Sequence, residues 1–104
     1  MPYAEVEPDE IRARIARGED VFLLDVREPD EVEDWAYPIG VNIPLGQLRD
    51  RLDEVPRDVT VVVACHMGGR SATAAQALSE AGWTAENLTG GAVAWAAGEP
   101  GQER

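Results

Sequence analysis

The residue most able to do chemistry is Cys65, which follows a run of valines and begins the segment Cys-His-Met-Gly-Gly-Arg-Ser. Between a buried strand and a helix, such a loop allows successive backbone N–H groups to curl around the sulfur. This anion cradle favours the thiolate and lowers the thiol pKa from about 8.5 to between about 3.5 and 7.5. We therefore predict that Cys65 is a nucleophile and that the remaining loop residues form its binding site: His66, Met67, Gly68, Gly69, Arg70 and Ser71.

Two adjacent glycines make this loop more specific than an isolated cysteine. A tight ring of inward-facing amides requires backbone angles and close approaches that residues with a Cβ resist, so we expect valine at Gly68 or Gly69 to impair the site. Arg70 adds a permanent positive charge, either within the site or as a structural brace for the loop. The alternative interpretation of Cys65 is a buried, unreactive core cysteine.

Two further side chains are candidates for assisting the cysteine, and each has a simpler explanation. His66 is the only histidine, yet neighbouring side chains in a curled loop diverge, so we expect His66 and Met67 to point outward from the rim instead of forming a Cys–His pair. Arg27 is interpreted either as a binder of an anionic substrate or as structural support paired with Asp25. The chain offers too few ligands for a metal site.

The elements that must position these residues begin with five predicted strands. The run from Val59 to Ala64 contains four valines and no charge, which indicates a central buried strand ending at Cys65. The run from Val21 to Leu24 is apolar at every position, as in a strand covered on both faces. The other predicted strands are Tyr3 to Val6 at an edge, Val41 to Pro44, and Trp83 to Leu88.

Helices are predicted between these strands. One begins near Pro8 and runs to about Arg17, and the alanine-rich stretch from Ser71 to Ala81 forms another, which Gly82 closes. Shorter helical segments are expected at Pro29–Glu31, at Leu45–Leu52 and around Val93–Trp95. This alternation implies a three-layer α/β fold with helices on both faces of a parallel sheet.

The polar candidates gather at one edge of this predicted sheet. Ligands of parallel sheets bind beyond the carboxyl ends of the strands. Asp25 and Arg27 follow one buried strand and Cys65 follows another, so all three lie at this edge if the two strands are parallel.

Length and charge limit the classes of function. The 104 residues predict a single domain over residues 1–104, with a core at about residues 3–99 and a loose tail at residues 100–104. The acidic N-terminus does not resemble a secretory signal and no apolar stretch reaches membrane-spanning length, so we expect a cytoplasmic protein. A net charge of −11 disfavours nucleic acids and anionic membranes as partners.

Several separated motifs resemble those of the rhodanese family, in the same order and at similar spacing. They are Asp25-Val26-Arg27-Glu28, Val41-Asn42-Ile43-Pro44-Leu45, the loop from Cys65 to Ser71, and Asn87-Leu88-Thr89-Gly90-Gly91 followed by Trp95. One segment, Trp35 to Gly40, departs from the family's usual Gly-His-Ile-x-Gly-Ala and lacks its histidine, which puts the local loop packing in doubt.

The resemblance implies a three-layer rhodanese-like domain that acts as a sulfurtransferase. In such an enzyme Cys65 attacks the outer sulfur of a donor such as thiosulfate and becomes a persulfide. It then passes this sulfur to an acceptor such as cyanide, a thiol or a partner protein. No metal and no organic cofactor is implied.

Three other functions stay open at this point. The similar cell-cycle phosphatases use a loop one residue longer, whereas four residues separate Cys65 from Arg70 here, which fits a smaller sulfur substrate better than a phosphatase or arsenate reductase. A catalytically idle binding module is disfavoured because the cysteine is present. A sulfur-carrying or docking module, active only with a protein partner, predicts the same persulfide.

Overall fold

The run of valines forms the middle strand of a five-stranded parallel sheet. The structure, a computed structural model, describes residues 3–98. The strands are β1 (Ala4–Val6), β2 (Phe22–Asp25), β3 (Val41–Asn42), β4 (Val61–Ala64) and β5 (Ala85–Leu88). Their spatial order is β1-β5-β4-β2-β3, and every neighbouring pair is parallel. The predictions of a central valine strand and of an N-terminal edge strand are confirmed.

The helices lie between the strands and after the last of them, as the sequence predicts. They are α1 (Pro8–Ala16), α2 (Pro29–Asp34), α3 (Leu45–Leu48) with a following 3₁₀ segment (Arg49–Glu54), α4 (Gly69–Glu80) and α5 (Gly91–Ala97). Proline occupies the first turn of α1 and of α2, where its missing N–H costs no hydrogen bond. Gly18 and Gly82 end α1 and α4 with positive φ, the backbone conformation that glycine adopts most easily.

Alternate residues of β4 face opposite layers of the fold. Val61, Val63 and Cys65 pack with residues of α3 and α4. Val62 and Ala64 pack with residues of α1 and α5. Because both faces of the central strand are covered, its residues are all buried, and the three-layer architecture is confirmed.

The boundaries of several elements differ from their predicted positions; β4, for example, begins at Val61 instead of Val59. Trp83 does not begin β5: its backbone N–H donates to Leu78 O (3.0 Å) in the turn after α4, and its indole N–H donates to Val55 O (3.3 Å). Helix α4 begins at Gly69, earlier than predicted, because Gly68 adopts a positive φ and serves as the N-cap. In residues 3–98 no helix is long and apolar enough to cross a membrane, and the predicted tail, residues 100–104, lies outside the described residues.

Candidate active site

Cys65 lies immediately beyond the carboxyl end of β4. The parallel register pairs Asp25 of β2 with Ala64 of β4, so the residues after these two strands meet at one edge of the sheet. This confirms the predicted gathering of Asp25, Arg27 and Cys65. The cysteine is 1% exposed and faces the layer that contains α4.

Hydrogen-bond donors surround the sulfur of Cys65. The backbone N–H of Gly68 donates to Sγ at 3.0 Å, and the Ser71 hydroxyl lies 3.3 Å from it. Burial raises the pKa of the Cys65 thiol, but hydrogen bonds from the Ser71 hydroxyl and from the amides of Ser71, Gly68 and Met67 outweigh it, so that the pKa lies below its ordinary value. The loop and the first turn of α4 therefore form a cradle that favours the thiolate.

Only one of the two loop glycines has the geometry that we expected of both. Gly68 has a φ of 108°, where side chains are rarely found, and a Cβ there would lie 3.4 Å from the backbone nitrogen of Gly90. Gly69 begins α4, and a Cβ there would meet no atom within 4 Å. The steric expectation thus holds for Gly68, whereas at Gly69 it is wrong because the helix has already begun.

The backbone carbonyl of Cys65 is held from the opposite layer. The Tyr37 hydroxyl donates to it at 2.6 Å and the Ala92 N–H at 2.9 Å. Burial raises the pKa of Tyr37, so its hydroxyl stays protonated and able to donate. At Gly91 a Cβ would lie 2.6 Å from the carbonyl oxygens of Cys65 and His66, so only glycine permits α5 to approach the loop this closely.

The two arginines near the loop are both paired with carboxylates. Arg70 makes a two-pronged contact with Glu31 (2.7 and 2.8 Å) and holds the pKa of that carboxyl at about 2. Arg27 is 2% exposed, and its guanidinium binds Asp25 at 2.7 to 3.1 Å. This geometry supports the structural interpretation of Arg27. The ion pair of Arg70 with Glu31 links α4 to α2.

The rim of the loop carries the side chains that we expected to point outward. His66 is exposed, and Met67 is 70% exposed. In the part of the chain that the structure describes, the donors to the Cys65 sulfur come from the loop amides and Ser71, and none of them is His66. His66 instead borders a cleft of about 280 Å³ beside the loop, together with Arg27, Glu31, Asp34, Trp35, Ala92, Val93 and Ala96.

The family to which this architecture belongs follows from comparison with known proteins. The sequence profile of the Rhodanese-like domain matches residues 7–98, nearly the whole chain. The chain belongs to the rhodanese-like family. The rhodanese motifs identified in the sequence occupy the edge just described: the Asp-Val-Arg-Glu segment ends β2 and the Cys-to-Ser loop joins β4 to α4.

Rhodanese-like relatives support a sulfurtransferase role. A sulfurtransferase of Allochromatium vinosum is 36% identical over 93 residues, covering 88% of this chain and 87% of that protein. The solved structure of the human single-domain sulfurtransferase TSTD1 superposes with a TM-score of 0.80 at 29% identity, covering 92% of this chain and 97% of the other. The putative sulfur carrier protein YrkF of Bacillus subtilis is 32% identical over 76% of this chain but 43% of its own length.

The segment that departs from the rhodanese pattern contributes to the site. Tyr37 is packed edge-to-face between Trp35 and Trp95 (ring centroids 5.0 and 5.6 Å apart) while its hydroxyl holds the Cys65 carbonyl. Sequence reasoning missed this role of Tyr37 and the pairing of Glu31 with Arg70. Tyr37 is 28 residues from its partner and Glu31 is 39 residues from its own, so no local pattern signals either contact.

Proposed function

We propose that Cys65 carries sulfane sulfur as a persulfide between a small donor and a thiophilic acceptor. Its thiolate attacks the outer sulfur of a donor such as thiosulfate; the donor's S–S bond breaks and sulfite leaves with the electron pair. An acceptor nucleophile then attacks the outer sulfur of the Cys65 persulfide, and the thiolate leaves. The observation that carries this proposal is the cradle of N–H and O–H donors around the Cys65 sulfur.

The donor side of the reaction depends on loop amides and not on a free guanidinium. Arg27 and Arg70 are both paired with carboxylates, so the negative charge on the thiolate and on the persulfide is stabilised mainly by the dipoles of the loop and of the α4 N-terminus. Because these fixed dipoles favour the anionic form of the attacking sulfur, the proposed reaction requires no general base. The spacing of four residues between Cys65 and Arg70 favours sulfur over the larger phosphate.

The acceptor side is open to cyanide, a thiol or a partner protein. The exposed Met67 and His66 at the loop rim, next to the cleft that contains Trp35 and Val93, support a surface on which an acceptor can approach the persulfide. Similarity to the putative sulfur carrier protein YrkF supports a protein acceptor. A cytoplasmic location remains a prediction from the sequence.

Mass analysis of the intact chain tests the persulfide. Incubation with thiosulfate should add one sulfur atom to the folded wild type, and a reductant should remove it. Because Cys65 is the only cysteine, Cys65→Ser provides an unambiguous control that should stay unmodified. Failure of the folded wild type to gain sulfur from thiosulfate or from an alternative sulfane donor such as a polysulfide would falsify the assignment.

Turnover distinguishes the enzyme from its alternatives. Release of thiocyanate from thiosulfate and cyanide, or transfer to a thiol, should proceed over many cycles if the chain is a sulfurtransferase in its own right. Loading without turnover would instead favour a sulfur-carrying module that needs its protein partner. Hydrolysis of aryl phosphates that depends on Cys65 would overturn the proposal in favour of a phosphatase.

A further inference from the structure

The hydroxyl of Ser71 has one proton and two acceptors. Ser71 Oγ lies 3.3 Å from the Cys65 sulfur and 2.5 Å from Oδ1 of Asn87. Ser71 is fully buried and Asn87 is 4% exposed, so bulk water does not readily supply a second donor. Because a hydroxyl donates a single full hydrogen bond, the sulfur and the amide oxygen compete for the same proton.

The orientation of the Asn87 amide follows from its other partners. Its nitrogen lies 3.0 and 3.3 Å from the two carboxylate oxygens of Glu5 and 3.3 Å from the carbonyl oxygen of Gly68. All of these oxygens only accept, so the amide N–H groups must face them and Oδ1 must face Ser71. Thr89 donates to the same Glu5 carboxylate at 2.9 Å and helps to hold it in place.

We propose that Asn87, oriented by Glu5, is a positioning residue that competes with the Cys65 sulfur for the Ser71 proton. While the sulfur is a neutral thiol, the Ser71 hydroxyl donates to Asn87, the closer acceptor. When the sulfur becomes anionic, a charge-assisted hydrogen bond is stronger than a neutral one, and the hydroxyl turns toward the sulfur. Each formation of the thiolate therefore leaves the buried Asn87 oxygen without this donor, which opposes ionisation.

This inference rests on the proposed role of Cys65 as the nucleophile, but its test does not require sulfur transfer. The test measures the pH dependence of alkylation of the sulfur-free chain by iodoacetamide, which reacts with the thiolate. The charged and titratable groups near the cradle are the pairs Arg70–Glu31 and Arg27–Asp25, together with Glu5, Glu28, His66 and Tyr37. A neutral substitution of Asn87 leaves all of these charges unchanged.

Asn87→Leu removes the competing oxygen without adding a charge. The Ser71 hydroxyl is then free to donate to the sulfur, so the alkylation midpoint should move to lower pH. At a fixed pH below the wild-type midpoint, alkylation should accelerate about threefold or more. Asn87→Val, which suits the strand β5, serves as a second variant if leucine disturbs packing, and thermal unfolding checks the fold of both.

A double-mutant cycle separates the hydroxyl pathway from a general disturbance. In a Ser71→Ala background the same substitution of Asn87 should change the alkylation rate by less than about 1.5-fold, because the shared proton is gone. An acceleration that persists without the Ser71 hydroxyl overturns the proposal. So does an unchanged or slower alkylation rate in a folded Asn87 variant.

Substitution of Glu5 provides a further test, since its side chain is exposed and can be replaced without affecting the core. Glu5→Gln removes the charge but keeps an oxygen that accepts from the Asn87 amide, and the Gly68 carbonyl still requires the same N–H groups, so Asn87→Leu should accelerate alkylation in this background as it does in the wild type. Loss of that acceleration would show that the Asn87 amide had turned over, which contradicts the proposed orientation. If these predictions hold while no sulfur is ever loaded, the proposed function fails and this inference stands.

Discussion

Cys65 is held from two layers of the fold, and the two sides hold it by different means. On the side of α5, Tyr37 and Ala92 bind its carbonyl, and Gly91 packs against it at a distance that excludes a methyl group. On the side of α4, N–H and O–H donors face its sulfur. The carbonyl side therefore fixes where the cysteine lies, whereas the sulfur side sets its charge.

This difference predicts which measurements each side should affect. Substitutions on the carbonyl side should lower stability and sulfur loading together, because the loop loses its position. Substitutions on the sulfur side should change the pKa of Cys65 while most of the stability remains, because the amides and hydroxyl contribute mainly to the charged state. A carbonyl-side substitution that changes only the Cys65 pKa, or a sulfur-side substitution that mainly lowers stability, would show that the two sides are not independent.

Gly91→Ala should have the largest effect. The new methyl group would lie 2.6 Å from the Cys65 and His66 carbonyl oxygens, and the residue has a φ of 55°. We expect α5 and the loop to separate at a cost of about 3 kcal/mol, with sulfur loading reduced at least about tenfold. Denaturant unfolding and the rate of the thiosulfate-dependent mass change measure the two effects.

The matched control for this variant is Gly46→Ala, at a position in α3 where a Cβ would meet no atom within 4 Å. It should unfold at or slightly above the wild-type denaturant concentration and load sulfur normally. Wild-type loading by a folded Gly91→Ala chain would contradict the assigned role of the carbonyl side.

On the sulfur side, we expect an intermediate effect from substitution of Gly68 and little effect from substitution of its neighbour Gly69. Gly68→Ala forces a side chain into a positive φ and disturbs the N–H that donates to the sulfur, so we expect a loss of about 1–2 kcal/mol and about tenfold slower loading. Gly69→Ala should load within about twofold of wild type, since the helix accepts alanine there. Equal impairment by both substitutions would show that open space at Gly69 is itself needed by the substrate.

The sequence predicts those parts of the site that depend on local pattern. The valines of β4, the glycine after it and the start of α4 are neighbours in the chain, so their spacing indicates a strand, a loop and a helix N-terminus. The location of Arg27 and Cys65 at one edge follows once the strands are parallel. The structure confirms the order of strand, loop and helix and the shared edge, although α4 begins two residues earlier than predicted.

The remaining contacts depend on tertiary packing, which a single sequence does not encode in any local period. Tyr37 lies in a segment without helical or strand pattern, and its role requires that Trp35 and Trp95 pack around it. In the sequence, Asn87 is an ordinary residue of a predicted strand, and its role depends on the contact with Ser71 of α4 in the folded chain. The predicted boundary at Trp83 was wrong for a similar reason, since its indole bonds to the distant Val55 carbonyl and not within the sheet.

Substitution of Arg70 should have the smallest effect, because the paired carboxylate of Glu31 nearly cancels the effect of the Arg70 charge on the Cys65 sulfur. Its guanidinium is bound to Glu31, and both side chains are about one-third exposed, so water screens the pair. Removing Arg70 alone leaves an unpaired carboxylate near Cys65, which raises the cysteine pKa. We expect Arg70→Ala to slow alkylation at neutral pH by about two- to threefold and high salt to reduce this difference.

The charge pair can be dissected by removing its members separately and together. Glu31→Gln alone should accelerate alkylation, and it preserves the polar contact that Glu31 makes with the Glu28 N–H at the start of α2. The double variant, Arg70→Ala with Glu31→Gln, should return close to the wild-type rate, because each change offsets the other. Since Arg70 holds the pKa of Glu31 at about 2 in the wild type, this carboxylate stays ionised between pH 5 and pH 10 and does not itself contribute a step to the wild-type alkylation profile there. A loss of more than about tenfold in Arg70→Ala that Glu31→Gln fails to restore would place the guanidinium directly on the sulfur, and the distinction between amide dipoles and distant charges would have to be abandoned.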